Sequence, residues 1–386
     1  MSNVECDEII NRLTSMLPAE RPIALHEPTL GQLEENFTKD CLRSGWISTA
    51  GAYVDRFEKE LAHFCGIEHA IATVNGTSAL HTCIVLAGVK ANDEVLVPAL
   101  TFVGTLNPIA YQQAIPHLLD CEKSTLGIDP EKLDQHLQRI AEIKNGTCIN
   151  RQTGRTIRAL VVVHILGIPA NMPALARIAE QWNLILIEDA AESLGSFRDQ
   201  RHTGDWAQLS ALSFNGNKII SSGGGGAVLT KNSELAAQAR HISTTAKQPH
   251  SWDFIHDKVG YNYRLPNLNA ALACAQLQRL PEHLSNKRKL YRKYRETFSD
   301  IETAKIHQPP EALQCNHWLN LLLLSDKNNR DLLLQEAHAQ GLLLRPLWNP
   351  MQQLPMYAQC PSDDLSTTQQ LWETGICLPS SPGLAA

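Results

Sequence analysis

No stretch of the 386-residue sequence approaches the roughly 20 consecutive apolar residues of a membrane-spanning helix, so no transmembrane segment is expected. The opening Met-Ser-Asn-Val-Glu-Cys-Asp lacks the basic-then-apolar layout of a signal peptide. A basic stripe, the footprint of a nucleic-acid binder, is also missing, and the formal net charge is −6. The ten cysteines are scattered from Cys6 to Cys377 with no C-x-x-C pair and no cluster with histidine. That argues against a disulfide framework or a zinc site and fits reduced thiols in a cytoplasm; no metal is expected. Internal repeats and low-complexity segments are absent too. Asn75-Gly76-Thr77 and Asn145-Gly146-Thr147 match the glycosylation sequon, and in a cytosolic chain both read as chance.

What remains is the composition of an ordinary globular protein, 43% apolar and 19% charged, long enough for two domains. From about residue 65 to 230, short β-rich runs alternate with helical patterns. Strands are predicted at His69–Val74, Glu94–Pro98, Pro116–Leu119, Ala159–Ile165, Leu184–Glu188, Ser210–Phe214 and Ala227–Thr230. Helices are predicted at Ser78–Leu86, Phe102–Gln112 and Met172–Trp182. Alternation of this kind predicts an α/β layer with a largely parallel sheet. Residues 1–20 read as a helical N-terminal extension, 21–245 as the large α/β domain and 246–386 as a smaller α+β domain. The last contains a long polar helix over Leu268–Thr297 and an apolar run over Leu319–Leu324.

Three segments fall where such a sheet binds ligands, at the carboxyl ends of strands. Asn75-Gly76-Thr77-Ser78 follows a strand and opens a helix, whose unpaired N–H groups suit a phosphate. Gly76 allows close backbone approach, and Thr77 and Ser78 add hydroxyls; a plain helix cap by Thr77 explains the same turn. Leu-Ile-Leu-Ile-Glu188-Asp189-Ala-Ala-Glu192 ends an apolar strand in carboxylates. Asp189 could hold a proton on a pyridine nitrogen and Glu192 could bond the ring's phenolic oxygen. A strand-end Asp also serves as a helix cap or metal ligand. Lys218 lies 29 residues after Asp189 in a small polar loop. Most lysines are solvated surface charges, whereas a lysine that forms an imine needs a pocket that strips its proton. The four glycines from Gly223 to Gly226 suggest close backbone approach to a ligand.

In this order (phosphate turn, pyridine acid, lysine) the chain resembles the DegT/StrS family of sugar aminotransferases, in the fold-type I pyridoxal-phosphate (PLP) superfamily. The match spans about Ile23 to Pro379. It includes Gly45-Trp46-Ile47-Ser48, Asn75–Leu80, Pro98, Thr101-Phe102, Val163-His164 with Gly167 and Pro169, Glu188–Glu192, Ser213-Phe214 with Lys218, and Gly260-Tyr261-Asn262-Tyr263-Arg264. The resemblance implies a large, mostly parallel-sheet PLP domain and a smaller C-terminal α+β domain. It implies that Lys218 holds PLP as an imine, Phe102 stacks on the ring, and Ser213 donates to the phosphate beside Thr77 and Ser78. Asn262 would reach the phosphate of the neighbouring subunit's cofactor, making a homodimer with shared sites. Two departures stand out: Gly223–Gly226 where the family often has Gly-Glu-Gly-Gly, and Glu192 where it often has Gln or His. Relatives with His for the lysine are dehydratases, and Lys218 argues against that reaction.

The implied reaction is ping-pong. L-Glutamate gives up its amino group with Lys218 as general base and acid, and the pyridoxamine 5′-phosphate form then aminates a nucleotide-linked keto-sugar. Asn145–Arg158, Arg345-Pro346-Leu347-Trp348, Leu354-Pro355-Met356-Tyr357 and Leu378-Pro379-Ser380-Ser381 resemble the LegC-like branch. That branch implies C4 of a UDP-4-keto-6-deoxy-hexosamine, on the way to legionaminic-type sugars of bacterial surface glycans. The alternatives are a GDP- or dTDP-linked keto-sugar, or a PLP lyase or dehydratase. Arg345 is the candidate for the diphosphate, or a solvated turn residue. His164 lines the pocket or is a satisfied core histidine. Trp46 and Ser48 shape the sugar pocket, or Trp46 only packs the N-terminal segment. The other tryptophans are assigned to core or interface, and the basic stretch Lys287–Arg295 to a solvated helix face.

Overall fold

The structure, a computed structural model, describes residues 3–385. In chain order its strands are β1 (His69–Thr73), β2 (Glu94–Pro98), β3 (Ile115–Leu119), the hairpin β4 (Ala141–Lys144) and β5 (Thr147–Asn150), β6 (Ile157–Val163), β7 (Ile185–Asp189), the short pair β8 (Phe197–Arg198) and β9 (Arg201–His202), β10 (Leu209–Ser213) and β11 (Gly226–Thr230). Later come β12 (Ala304–Ile306), β13 (Asn320–Leu324), β14 (Arg345–Pro346) and β15 (Gly375–Leu378). The helices are α1 (Asn3–Met16), α2 (Gln32–Ser44), α3 (Ala52–Cys65), α4 (Gly76–Leu86), α5 (Asn107–Tyr111), α6 (Pro130–Ile140), α7 (Met172–Gln181), α8 (Ser233–Ser243), α9 (Asn267–Thr297), α10 (Arg330–Ala339) and α11 (Ser366–Thr374). No helix among the described residues is long and apolar enough to cross a membrane.

The larger sheet runs β1-β11-β10-β7-β6-β2-β3. Strands β10, β7, β6, β2 and β3 are mutually parallel, and only β11 runs antiparallel to its neighbours. The expected α/β architecture with a mostly parallel sheet is therefore present. Its strands are buried on both faces, which explains the unbroken apolar runs. Ile71, Val95, Val97, Val161, Ile187 and Val228 pack with Leu80 and Ile84 of α4 on one face. Leu96, Leu160, Val162 and Leu186 pack with α6 and α7 on the other.

A second sheet, β12-β13-β15-β14, takes up the Leu319–Leu324 run as its central β13. Helix α9 joins the two layers. Its first half (Ala270, Ala273, Cys274, Leu277) packs with Phe57 and Leu61 of α3. Its second half (Leu290, Tyr294) packs with Ile9, Ile10 and Leu13 of α1 and with Leu322 of β13. Helix α1 is thus held against α9 and α10.

One local expectation needs correction, and the Asn145–Arg158 insertion takes a definite form. Phe102–Gln112 is not one helix but a 3-10 turn (Val103–Thr105) followed by the short α5, with Pro108 in its first turn. Asn145-Gly146 makes the β4–β5 turn, with φ of 52° and 76°, the left-handed pair that a tight hairpin demands.

Candidate active site

The period of two along a strand assigns the carboxylates their places. In β7, Ile187 faces α4, so Asp189 faces the same way, and the intervening Glu188 faces the opposite side. On the parallel neighbours, Val163 follows Val161 and Ser213 follows Ala211 onto that same face. The helix covering it, α4, begins with the turn at Asn75. These chain ends enclose a cavity of about 290 Å³ lined by Gly76, Thr77, Phe102, Thr105, Val163, Asp189, Glu192, Ser213, Lys218, Trp318 and Trp348, among others.

At the turn, Asn75 Oδ1 accepts from Ser78 N at 2.8 Å and caps α4. Gly76 and Thr77 contribute first-turn N–H groups that have no partner inside a helix. A Cβ on Gly76 would sit 2.7 Å from Ser213 Cβ, so only glycine lets the turn and the β10 end share this corner. Phe102 is 52% exposed and forms a wall of the cavity. A side chain at Gly104 would meet its ring at 2.9 Å.

Asp189 is buried; its Oδ2 accepts from Thr105 Oγ1 at 2.8 Å and its Oδ1 from Ala191 N at 3.1 Å. Burial pushes its pKa above the usual carboxylate value, against the pull of the Thr105 bond. Glu192 Oε2 accepts from Leu166 N at 2.9 Å, and Oε1 lies 3.7 Å from Lys218 Nζ. Burial raises the Glu192 carboxyl to about 7, with Lys218 pulling the other way. Lys218 is largely enclosed, and its Nζ sits 4.0 Å from the centre of the Trp318 ring. The cavity therefore gathers an enclosed amine, two buried carboxyls, an aromatic wall and a helix N-terminus.

Residues 28–386 match the DegT/DnrJ/EryC1/StrS aminotransferase family. The chain belongs to this family. It is 33% identical over 368 residues to a protein named GDP-perosamine synthase from Caulobacter vibrioides, covering 94% of each chain. It is 31% identical over 369 residues to a GDP-perosamine synthase from Vibrio cholerae, covering 94% of this chain and 95% of that one. Among solved structures, the aminotransferase TlmJ from Streptoalloteichus hindustanus superposes with a TM-score of 0.85 at 25% identity, covering 94% of both chains. The protein is a PLP-dependent aminotransferase.

The residues of this aminotransferase fit such a cofactor. A dianionic phosphate matches the α4 N-terminus with Thr77 and Ser213 beside it. The half-exposed Phe102 face, backed by Gly104, offers a flat surface for an aromatic ring. A buried carboxyl and an enclosed amine share the remaining wall.

Several expected site residues lie elsewhere. Ser78 is buried off the cavity, its N–H held by Asn75 and its carbonyl accepting from Thr82 Oγ1; Asn75, not Thr77, caps the helix. His164 is a core histidine: one residue past Val163, it points away, with Nε2 2.9 Å from Glu188 Oε2 and Nδ1 accepting from Ala170 N. Glu188 also accepts from the N–H groups of Gly204, Trp206 and Ala207. Burial raises its pKa, and these bonds, led by His164, outweigh burial and bring it below the usual range. Arg345 is exposed on β14, paired with Cys377. Trp46, Ser48 and Asn262 are exposed and outside the cavity of their own chain.

The glycine run does not line the cavity either. Gly226 makes its close approach to the protein's own turn, because a Cβ there would lie 2.5 Å from the Asn75 carbonyl carbon and oxygen. Conversely, Trp318 and Trp348, assigned to core or interface, line the cavity. They come from residues about 100 and 130 positions beyond Lys218, and no spacing in the sequence connects them to it. Thr105 sits at the end of the Thr101-Phe102 turn, close enough in sequence to be found by asking what supports Asp189.

Proposed function

We propose that the protein transfers the amino group of L-glutamate to a nucleotide-linked keto-sugar in bacterial surface-glycan synthesis. The reading is carried by the convergence of Lys218, Asp189, Glu192, Phe102, Ser213 and the Thr77 turn on one cavity of a DegT/DnrJ/EryC1/StrS family member. Bound PLP supplies the electron sink for cleavage at the amino donor's Cα. Asp189 would hold the proton on the pyridine nitrogen, an ion pair that burial strengthens. Glu192 would bond the phenolic oxygen. Lys218 Nζ would tether the cofactor at rest; the donor's amine would displace it, and the freed amine would take the proton from the donor's Cα and return it to the cofactor's C4′ as general base and acid. Thr77, Ser213 and the α4 N–H groups hold the phosphate, and Phe102 keeps the ring flat against the wall.

The functional unit is a cytoplasmic homodimer in which Asn262 reaches the partner's phosphate. The exposed Trp252, Phe254 and Val259 on the preceding loop support such an interface.

Two sugars compete. A GDP-linked, perosamine-like keto-sugar is favoured by relatives named GDP-perosamine synthase. The UDP-4-keto-6-deoxy-hexosamine rests on the β4–β5 insertion and the Arg345–Trp348 segment, with Arg345 and Trp46 as candidate contacts. Incubation with glutamate and a panel of UDP-, GDP- and dTDP-linked 4-keto-sugars, with product identification, decides between them. Amination of the GDP sugar alone removes the legionaminic reading. No amination of any nucleotide sugar would overturn the proposal.

A further inference from the structure

Lys287 is the least explained polar side chain in the core. It is 0% exposed in the middle of α9, and among the described residues its partners are two carbonyls, Trp318 O at 2.6 Å and Ser380 O, with no carboxylate. Burial drives its pKa well below the ordinary lysine value. Burying a lysine without a counter-ion is costly because its charged form loses water, and an apolar side chain of the same length would pack at less expense. Its position is informative because of what it grips.

Trp318 is held at every polar atom. Its N–H donates to Asn316 Oδ1 at 2.8 Å, its carbonyl accepts from Lys287, and its indole Nε1 donates to Asn217 O at 2.7 Å. Asn316 Nδ2 in turn donates to Glu192 O at 2.9 Å and Leu194 O at 3.0 Å. The ring is backed by Trp348, centroids 6.3 Å apart and planes 12° from parallel. The Lys218 amine stands 4.0 Å above this fixed ring, and Asn217, whose carbonyl the indole clamps, is its chain neighbour. The acid and amine sides of the cavity are thus referred to one tryptophan of the smaller layer.

We propose that Trp318, fixed by Lys287, is a positioning residue for Lys218: its ring is the platform for the amine and its indole N–H locks the loop that carries it. This deepens the proposed function, since it rests on Lys218 being the lysine that works. The ring's face holds the amine at a fixed place and height in the cavity. The charged or titratable groups facing Lys218 from the surrounding elements are Glu192, Asp189 and, through space, His26. All three remain in the variants below, so a change in Lys218 reports the ring.

The test reads the amine without the cofactor. In cofactor-free protein, the rate at which fluorodinitrobenzene labels Lys218 at one fixed pH is followed by peptide mass. Trp318→Leu removes ring and clamp and frees the amine, so labelling speeds up roughly threefold to tenfold. Trp318→Phe keeps a ring without the N–H, so its labelling rate changes by less than half as much. In the loaded enzyme its kcat falls roughly tenfold to a hundredfold with KM for glutamate unchanged. Lys287→Met shows the same kcat loss with a Tm equal to or above that of the parent. A folded Trp318→Leu protein labelling at the parental rate, or a Lys287→Met enzyme with parental kcat, overturns the proposal. Failure of the underlying reading looks different: Lys218→Ala would then keep the cofactor's visible band and its turnover.

Discussion

Glutamine in place of Glu192 should change the pH dependence of stability more than stability itself. The side chain is 5% exposed, and burial raises its carboxyl from an ordinary 4.5 to about 7; the opposing pull of Lys218 at 3.7 Å is already within that value. The folded protein therefore keeps a proton that the unfolded chain releases between pH 4.5 and 7. Unfolding stability depends on pH through the protons bound unfolded minus those bound folded, and here that difference is negative. This carboxyl's contribution is fully present below pH 4.5, is lost as the pH rises to about 7, and is flat beyond. A shift of this size corresponds to about 3 kcal/mol in total. The amide of the Glu192→Gln variant can still accept from Leu166 N–H and has no proton to lose. Urea unfolding of cofactor-free protein at fixed concentration, at pH 4.5, 6 and 8, checks the prediction. Glu192→Gln should gain about 3 kcal/mol on the parent between pH 4.5 and 8, most of it by pH 7. Parallel stability curves for the two proteins would refute the reasoning.

Gly226→Ala places a Cβ 2.5 Å from the Asn75 carbonyl and 2.7 Å from Gly76 N. It should cost about 1–3 kcal/mol in urea unfolding and weaken PLP binding by titration, while Gly216→Ala, with open space around it, changes neither by more than about 0.5 kcal/mol. Thr105→Val strips Asp189 Oδ2 of its 2.8 Å donor. Because that bond holds the Asp189 carboxyl down, its loss moves the acid limb of the kcat/KM profile to higher pH and lowers the plateau roughly tenfold.

The parallel layer was legible because burial on both faces writes strands as apolar runs, and strand ends then fall at chemical residues. Asp189 could be read because it ends such a run, and its orientation follows from Ile187 two residues earlier. His164 was ambiguous at that level, since its side depends on where β6 stops. The glycine run was misread because close approach is a pairwise distance: the backbone that Gly226 nears is the Asn75 turn, 151 residues away in sequence. Trp318 and Trp348 were invisible for the same reason. A tryptophan packed in a core and one facing a lysine have the same local sequence; only the docking of the smaller sheet through α9 brings Trp318 under Lys218. Lys287 read as part of a solvated basic face, and the fold turns that one member inward while Lys289, Arg292 and Lys293 stay outside or at the edge.

The measurement closest to the central claim is borohydride reduction of the PLP-loaded protein, followed by proteolysis and mass mapping of the fixed cofactor. The expected result is a visible band that reduction abolishes, with the added mass on the peptide containing Lys218 and nowhere else. Cofactor fixed at any other lysine, or a band that persists in Lys218→Ala, would contradict it.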